Sequence, residues 1–353
     1  MTVSLARGTA SFRGLRADGV AEIRHDLQSL DEPGVWVVVL TFEGHLTAVR
    51  MAEIERSLHV DDVPSAPVTT PPDADLTRWR TSLGRTEYRD GVEQIRALIR
   101  RGEVYQVNLC RVMEREIAEG ANLDRLALTL AEHNPARYAA RIDIPEAGLD
   151  VVCASPELYL ARGGDRLTSS PIKGTAPAGG RMLPKDHTEN VMITDLVRND
   201  LSSVSVPGTV AVDGLCVPEA YPGSTHLVST VSSRLRPGAR WSEILAAAFP
   251  PGSVSGAPKS SALKAIRRLE PVPRGPYCGA IGYVDNETRT ARLAVGIRTF
   301  WAARDDGDRR VLRFGTGAGI TWGSDPEGEW CETVLKARRL VALAELAIGG
   351  QEK

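Results

Sequence analysis

Apolar positions recur with a helical period in YRDGVEQIRALIRRGE. Val92, Ile95, Leu98 and Ile99 fall on one face there, and Gly102 suits the end of the helix. The next segment, VYQVNLCRV, changes to alternation: Tyr105, Val107 and Leu109 point one way, Gln106 and Asn108 the other. A polar pair on a strand face means either solvent or a ligand cavity. A second helix is expected over about 186–199 (DHTENVMITDLVRN). A third begins at Ser324-Asp325-Pro326, a capping residue followed by an early proline, and runs to about Glu345. VWVVVLTF (35–42) is too short to span a membrane and reads as a buried strand. RLAVGIRTFWA and the GYV before it also read as strands. Residues 1 to about 60 read as short strands and turns, with one helical pattern near their end. Strands and helices do not alternate regularly enough for a doubly wound sheet. A mixed α/β (α+β) fold with largely antiparallel sheets is expected.

VPSAPVTTPPDAD (63–75) breaks these patterns with proline and small polar residues and reads as a linker or long surface loop. It divides a short β-rich part (1–75) from a larger part (76–345) that carries the motifs below, and 346–353 reads as a tail. The 353 residues are 42% hydrophobic and 25% charged, as in a soluble globular protein. With a net charge of -2 and no Lys/Arg block, a nucleic-acid partner is not expected. The five cysteines are scattered, odd in number and never in a C-x-x-C pair, which argues against a disulfide framework or a thiolate zinc site and fits a reducing cytosol. MTVSLARGTASFRG lacks the apolar core of a signal peptide, and no membrane segment is expected.

Asp186 and Glu189 lie three residues apart on the second helix. Glu329 and Glu332 repeat the spacing on the third, with Lys336 one turn on. Each like-charged pair costs its helix ~0.2–0.5 kcal/mol. Both pairs suit solvated faces. If the two helices face each other, their carboxylates suit a hard divalent cation such as Mg²⁺. GSVSGAPKSS (252–261) fails the phosphate-loop template because Ala257 and Pro258 separate Gly256 from Lys259, which rules out an ATPase or GTPase reading. The loop precedes a helix (SALKAIRRLE), whose N-terminal N–H groups suit a carboxylate. GTGAGI (315–320) is either a turn between strands or a place where backbone approaches a ligand. Arg298, in AVGIRTF, suits a buried ion pair or a carboxylate clamp equally. In SSPIKGTAP, Lys173 stands at a tight, small-residue stretch, where it is either a surface lysine or a reactive amine.

Together these segments resemble the chorismate-utilising enzymes. The matching stretches are GEVYQVNL, ASPELYL, SSPIKGT, ENVMITDLVRNDL, STHLVS, FPPGSVSGAPK, GPYCGAIGYV, AVGIRTF, GTGAGIT and EGEWCETVLKARRL, in the family's order from about 100 to 345. The resemblance implies one α/β domain with two central antiparallel sheets flanked by helices, acting on chorismate with Mg²⁺. It implies Glu189 and Glu332 as direct metal ligands and Asp186 and Glu329 as ligands through water. His226 matches a residue near the reacting ring. Arg298, Tyr277 and the Gly317-Ala318-Gly319 turn match groups that hold carboxylates, and Lys336 matches a lysine on the carboxylate near the metal. Thr175 and Gln106 join them as substrate-binding positions. Isochorismate and salicylate synthases carry a lysine base where Gln106 stands, which argues against water as the nucleophile. Anthranilate synthases read P-I-A-G-T where this chain reads PIKGT, and aminodeoxychorismate synthases typically have the lysine.

Lys173 is therefore expected to be a covalent nucleophile and Glu157 the general acid. The implied function is aminodeoxychorismate synthase component I, taking ammonia from a separate glutamine amidotransferase subunit, since no glutaminase signature is present. The alternatives are an anthranilate or 2-amino-2-deoxyisochorismate synthase large subunit and, in another class, a non-catalytic chorismate sensor. The chain departs from the family at Tyr159, where phenylalanine is usual, and at Ala176-Pro177-Ala178-Gly179. No leucine-rich tryptophan-sensing segment is found near the amino terminus.

Overall fold

The computed structural model describes residues 6–57, 75–177, 179–221 and 224–348. The expected linker, apart from Asp75, lies outside them, as do Ala178 and tail residues 349–353. Six α-helices occur among the described residues: α1 Arg85–Arg100, α2 Asp124–His133, α3 Pro184–Ser202, α4 Trp241–Ala248, α5 Lys259–Leu269 and α6 Pro326–Ile348. None is long and apolar enough to cross a membrane.

Every strand pairing is antiparallel, and the strands join edge to edge in one network of eighteen. A first run passes from Gln106–Glu116 to Arg310–Ile320, Thr299–Arg304, Leu149–Ser155 and Tyr138–Ile144. Strands Ala6–Phe12, Leu15–Arg24 and Leu46–Arg56 carry the network onward. A second run follows: Val35–Leu40, Ala280–Asp285, Thr290–Val295, Leu158–Gly163, Arg166–Ser170 and Ser224–Arg234. The last of these also pairs with Ile172–Pro177 and Ala211–Tyr221. The expected two sheets are thus two runs of one network, folded over a shared core.

Side-chain alternation shows how the layers form. Val151 and Cys153 join the core between the runs, with Val37, Ile281 and Leu160. Their neighbours Val152 and Ala154 face outward against α2 and α6, with Leu126 and Val341. α1 and α5 cover the far end, where Val92 and Ile95 meet Val107, Leu109 and Ala262. α3 and α4 pack on the shared core through Ile193, Val197, Trp241 and Ile244.

VWVVVL is a strand buried on both faces, and the three expected helices form. α3 begins earlier and ends later than expected, and α6 runs past Glu345 to Ile348. Asp325 caps α6, accepting from Gly328 N at 2.7 Å. Three readings change. The helical pattern near residue 60 is the strand Leu46–Arg56, drawn into the sheet by pairing with Val35–Leu40 over Leu46–Arg50 and with Leu15–Arg24 over Ala48–Arg56. RLAVGIRTFWA is two strands, Thr290–Val295 and Thr299–Arg304, interrupted where Arg298 adopts φ +50°. GTGAGI is no turn but the end of Arg310–Ile320, in register with Val107–Val112.

Candidate active site

The site is built around an irregular strand. Ile172–Pro177 pairs with Ser224–Arg234, and the register slips between Ile172 and Thr175. Gly174 sits there at φ +84°, and a Cβ on it would lie 2.7 Å from Asp186 Cβ. Glycine therefore lets the first turn of α3 close against the strand. Bulges re-aim side chains, and here Lys173 points into the molecule. A Cβ added to Gly319 would lie 3.4 Å from Lys173 Nζ, 3.1 Å from Asn108 Oδ1 and 2.4 Å from Gln106 Nε2.

That convergence follows from the strand register. Gly315, Gly317 and Gly319 oppose Val112, Cys110 and Asn108, so one face of the strand carries no side chains and leaves room for those of its neighbours. Ala318 points to the opposite face, among Val107, Leu109 and Ile320, so its methyl lies away from Lys173. Gln106 is fully buried, and neither its Oε1 nor its Nε2 has a hydrogen-bond partner. Asn108 donates to Ser253 O at 2.8 Å. The polar face of this strand therefore looks into the protein, not into solvent. Tyr277 lies against Gly315, and its Oη is 3.9 Å from Cys110 Sγ.

Burial lowers the Lys173 pKa, and Lys336 adds to the effect, while Glu189, Glu157 and Glu332 oppose it. Glu157 is 3% exposed, in the link between Leu149–Ser155 and Leu158–Gly163. Burial pushes its pKa up to about 7, against a hydrogen bond from Ser253 and the charge of Lys173. An amine depressed by burial and a carboxyl raised by it are the pair that nucleophilic attack and leaving-group protonation need near neutral pH.

A second group adjoins the first across the same strand. Thr175 pairs with His226, and Thr175 Oγ1 lies 2.8 Å from His226 Nδ1. His226 Nε2 lies 3.4 Å from Arg298 Nη2 and 3.3 Å from Ser224 Oγ. Arginine only donates, so Nε2 accepts and Nδ1–H donates to Thr175. Burial and the Arg298 charge lower the His226 pKa to about 3, so the ring is neutral at pH 7. Arg298 is itself desolvated, and among the described residues no carboxylate forms an ion pair with it. A half-buried guanidinium without an acid is a ready site for an incoming anion.

The four predicted metal carboxylates lie on α3 and α6, as expected, but each is differently engaged. Asp186 Oδ2 accepts from Leu183 N at 2.8 Å and caps α3. Buried Glu329 accepts from Ser324 Oγ at 2.6 Å. Glu332 pairs with Lys336 at 2.6 Å, and Lys336 also donates to Gly317 O at 3.1 Å. Among the described residues, no three His, Cys, Asp or Glu side chains gather as a metal-binding group. The two helices nevertheless feel each other. Burial raises the Glu189 pKa, and the Glu332 carboxylate on the other helix raises it further. Burial alone would raise the pKa of Glu332 as well, but Lys336, Lys185 and Lys173 bring it below its ordinary value.

The sequence reading missed two supports. Asn190, buried on the inner face of α3, donates to Leu227 O at 2.8 Å and to Lys173 O at 3.4 Å, which ties the helix to the reactive strand. Ser253 bonds Glu157 and, through its carbonyl, Asn108. The position of Asn190, one turn beyond Asp186, was the available signal. Nothing in the spacing of Ser253 marked it.

The profile of the chorismate binding enzymes matches residues 22–342. An anthranilate synthase component 1 of Haloarcula marismortui is 37% identical over 292 residues, covering 79% of this chain and 58% of the relative. An aminodeoxychorismate synthase of Streptomyces pristinaespiralis is 36% identical over 372 aligned positions, covering 97% of this chain and 49% of the relative. The chain thus spans about half to three-fifths of the length of these relatives. In fold it superposes on the crystal structure of anthranilate synthase component I from Streptococcus pneumoniae with a TM-score of 0.74 at 22% identity, over 97% of this chain and 93% of that one. With the profile spanning nearly the whole chain, this protein belongs to the chorismate binding enzyme family.

Proposed function

We propose that this chain is the chorismate-aminating component of an aminodeoxychorismate synthase, replacing the C4 hydroxyl of chorismate with an amine. The observation that carries the reading is the Lys173 amine, turned inward beside Gln106, Asn108 and Gly319 and within electrostatic reach of Glu157. Relatives of both aminating kinds are nearly equally similar to the chain, 37% and 36% identical over the aligned residues, so identity does not separate the branches and the lysine favours one over the other.

In this reading the neutral Lys173 amine adds at C2 of the ring. The two conjugated ring double bonds shift (C1=C2 to C1=C6, C5=C6 to C4=C5), the C4–O bond breaks, and Glu157 gives its proton to the departing hydroxyl, which leaves as water. Ammonia then adds at C4, both double bonds shift back, and the C2–N bond to Lys173 breaks. The added nitrogen loses a proton, which restores Glu157. Arg298, oriented by neutral His226 and Thr175, binds a substrate carboxylate, and Lys336 binds another near α6. The donor set of α3 and α6 is all oxygen and mutually repulsive, which fits a hard divalent cation. Glu189 and Glu332 would hold Mg²⁺, backed by Asp186 and Glu329, and when bound it supplies positive charge that anchors the ring carboxylate and draws off developing negative charge. A glutamine amidotransferase subunit supplies the ammonia.

Product analysis tests the reading. Incubation with chorismate, Mg²⁺ and excess ammonium is expected to form 4-amino-4-deoxychorismate, which an added aminodeoxychorismate lyase converts to 4-aminobenzoate. Anthranilate fluorescence without the lyase would overturn it.

Arg298 supplies a second test. Arg298→Met keeps an unbranched side chain at φ +50° but removes a desolvated charge that has no acidic partner. The variant is expected to melt about 2 °C higher, from ~1 kcal/mol of relieved desolvation. Its affinity for chorismate should fall by about 10²-fold, the weight of a charged hydrogen bond. Calorimetry reads both quantities, and a lower Tm with unchanged binding would make Arg298 purely structural.

A further inference from the structure

A cavity adjoins Glu157, and Lys173, His226, Arg298 and Lys336 are not among the residues that line it. Glu157, Tyr159, Ser169, Asp200, Ala248 and Ser253 are among its lining residues, and it leaves about 20 Å³ for the centre of a water-sized molecule. That is room for one small molecule. Tyr159 is 4% exposed, lines this space, and its hydroxyl has no hydrogen-bond partner. A buried unpaired hydroxyl is destabilising unless something fills its bonding site. A phenylalanine would fill the same space at no such cost. At the rim, Asp200 is already neutralised by Lys259 at 2.7 Å, and the pair retains slight exposure between α3 and the start of α5. Leu158, Leu160, Val197 and Val295 form much of the remaining wall.

We propose that this cavity is a binding site for one small neutral hydride, seated on the Tyr159 hydroxyl, and that during turnover the occupant is ammonia on its way to the ring. The assignment of ammonia rests on the aminating reaction proposed above; the site itself does not. An ammonium ion has four N–H donors to satisfy, and with Asp200 already paired this largely apolar wall cannot satisfy them. A neutral molecule needs only to accept from Tyr159 and donate to one or two neighbours such as Ser253. Glu157 borders both the cavity and the surroundings of Lys173, so an occupant waits one side chain away from the carbon that loses its hydroxyl.

A high-resolution crystal structure and ammonium kinetics test this together. In the wild-type protein, density for one solvent-sized molecule is expected within hydrogen-bond distance of Tyr159 Oη, and Tyr159→Phe should lose it. The same variant should raise the KM for ammonium about fivefold, the weight of one hydrogen bond, while the KM for chorismate stays within about twofold. Ala248→Leu, which fills the cavity from the α4 side, should raise the ammonium KM as well. A dry cavity in the wild type overturns the site. An occupied cavity with unchanged ammonium KM in both variants overturns ammonia as the occupant and leaves a structural water. If the wild-type protein forms no 4-amino product at any ammonium concentration, the proposed reaction has failed, and the density at Tyr159 alone decides the site.

Discussion

Replacing Lys173 with alanine should lower the rate of C4 amination on the order of 10³-fold or more while changing chorismate affinity by less than about tenfold. The asymmetry has a physical origin. The amine sits beside buried Gln106 and Asn108, where burial disfavours its charged form. A group whose charged form burial disfavours contributes less Coulombic attraction to a dianionic substrate, so in the proposed reading binding rests mainly on Arg298 and Lys336, which the substitution leaves in place. Chemistry, by contrast, loses its nucleophile outright, and ammonia would have to displace the C4 hydroxyl, still protonated by Glu157, in a single step. Rapid-quench product analysis and titration calorimetry on the same variant separate the two effects. Trapping substrate on the wild-type protein should add its mass to the peptide that contains Lys173, and Lys173→Ala should abolish that adduct. Wild-type turnover by the alanine variant would sink covalent catalysis without touching the family assignment.

The second large effect is expected at Glu157. Glu157→Gln keeps the shape and the bond to Ser253 but cannot give up a proton, and the rate should fall by about 10²–10⁴. The pH profile identifies the role. A general acid must start protonated, so wild-type activity should decline as pH rises through about 7, the value to which burial lifts this carboxyl. In the glutamine variant that limb should disappear. Stability carries the same signature. The folded pKa lies above the unfolded value, so the folded state holds the extra proton between about 4.5 and 7. The contribution is fully present below about pH 4.5 and is lost as pH rises through 7, up to about 3 kcal/mol for a shift of this size. Thermal melts of wild type and variant across that range should converge at acid pH less the local bond change, and diverge toward pH 7 as the wild type loses ground. Parallel melting curves would mean that Glu157 is ionised throughout and is not the acid.

The elements were legible where local pattern and tertiary environment agreed. Val92, Ile95 and Leu98 share a helical face and are buried; VWVVVL has no polar position and is buried on both sides. Reading failed where the partner lay elsewhere in the chain. The helical pattern near the end of residues 1–60 falls instead on Leu46–Arg56, which pairs with Leu15–Arg24 along Ala48–Arg56 and with Val35–Leu40 along Leu46–Arg50, and inter-strand bonds outweigh a weak helical preference. GTGAGI has the composition of a turn, but its register with Gln106–Glu116 makes its three glycines one open face of a strand. Arg298 looked like a strand residue and instead marks the break between two, at a positive φ.

Among the candidate groups, the residue types were readable from motif order. How they are charged was not. Lys173 and Glu157 stand sixteen residues apart, with nothing local to shift either one. Their altered proton affinities arise because two distant strands, the glycine face and the segment around Ser253 together exclude water from them. His226 was expected near the reacting ring; what its sequence did not show is that burial and the contact with Arg298, seventy-two residues away, keep its ring neutral at pH 7. The chain alone thus determined which side chains are available and which helices and strands carry them, because those depend on neighbours within a few residues. Only the tertiary structure decided which way Lys173 points, which acids burial makes harder to ionise and, among the described residues, that Arg298 has no carboxylate beside it. Desolvation and Coulomb energy depend on what surrounds a group in space, and here nearly all of it comes from far along the chain.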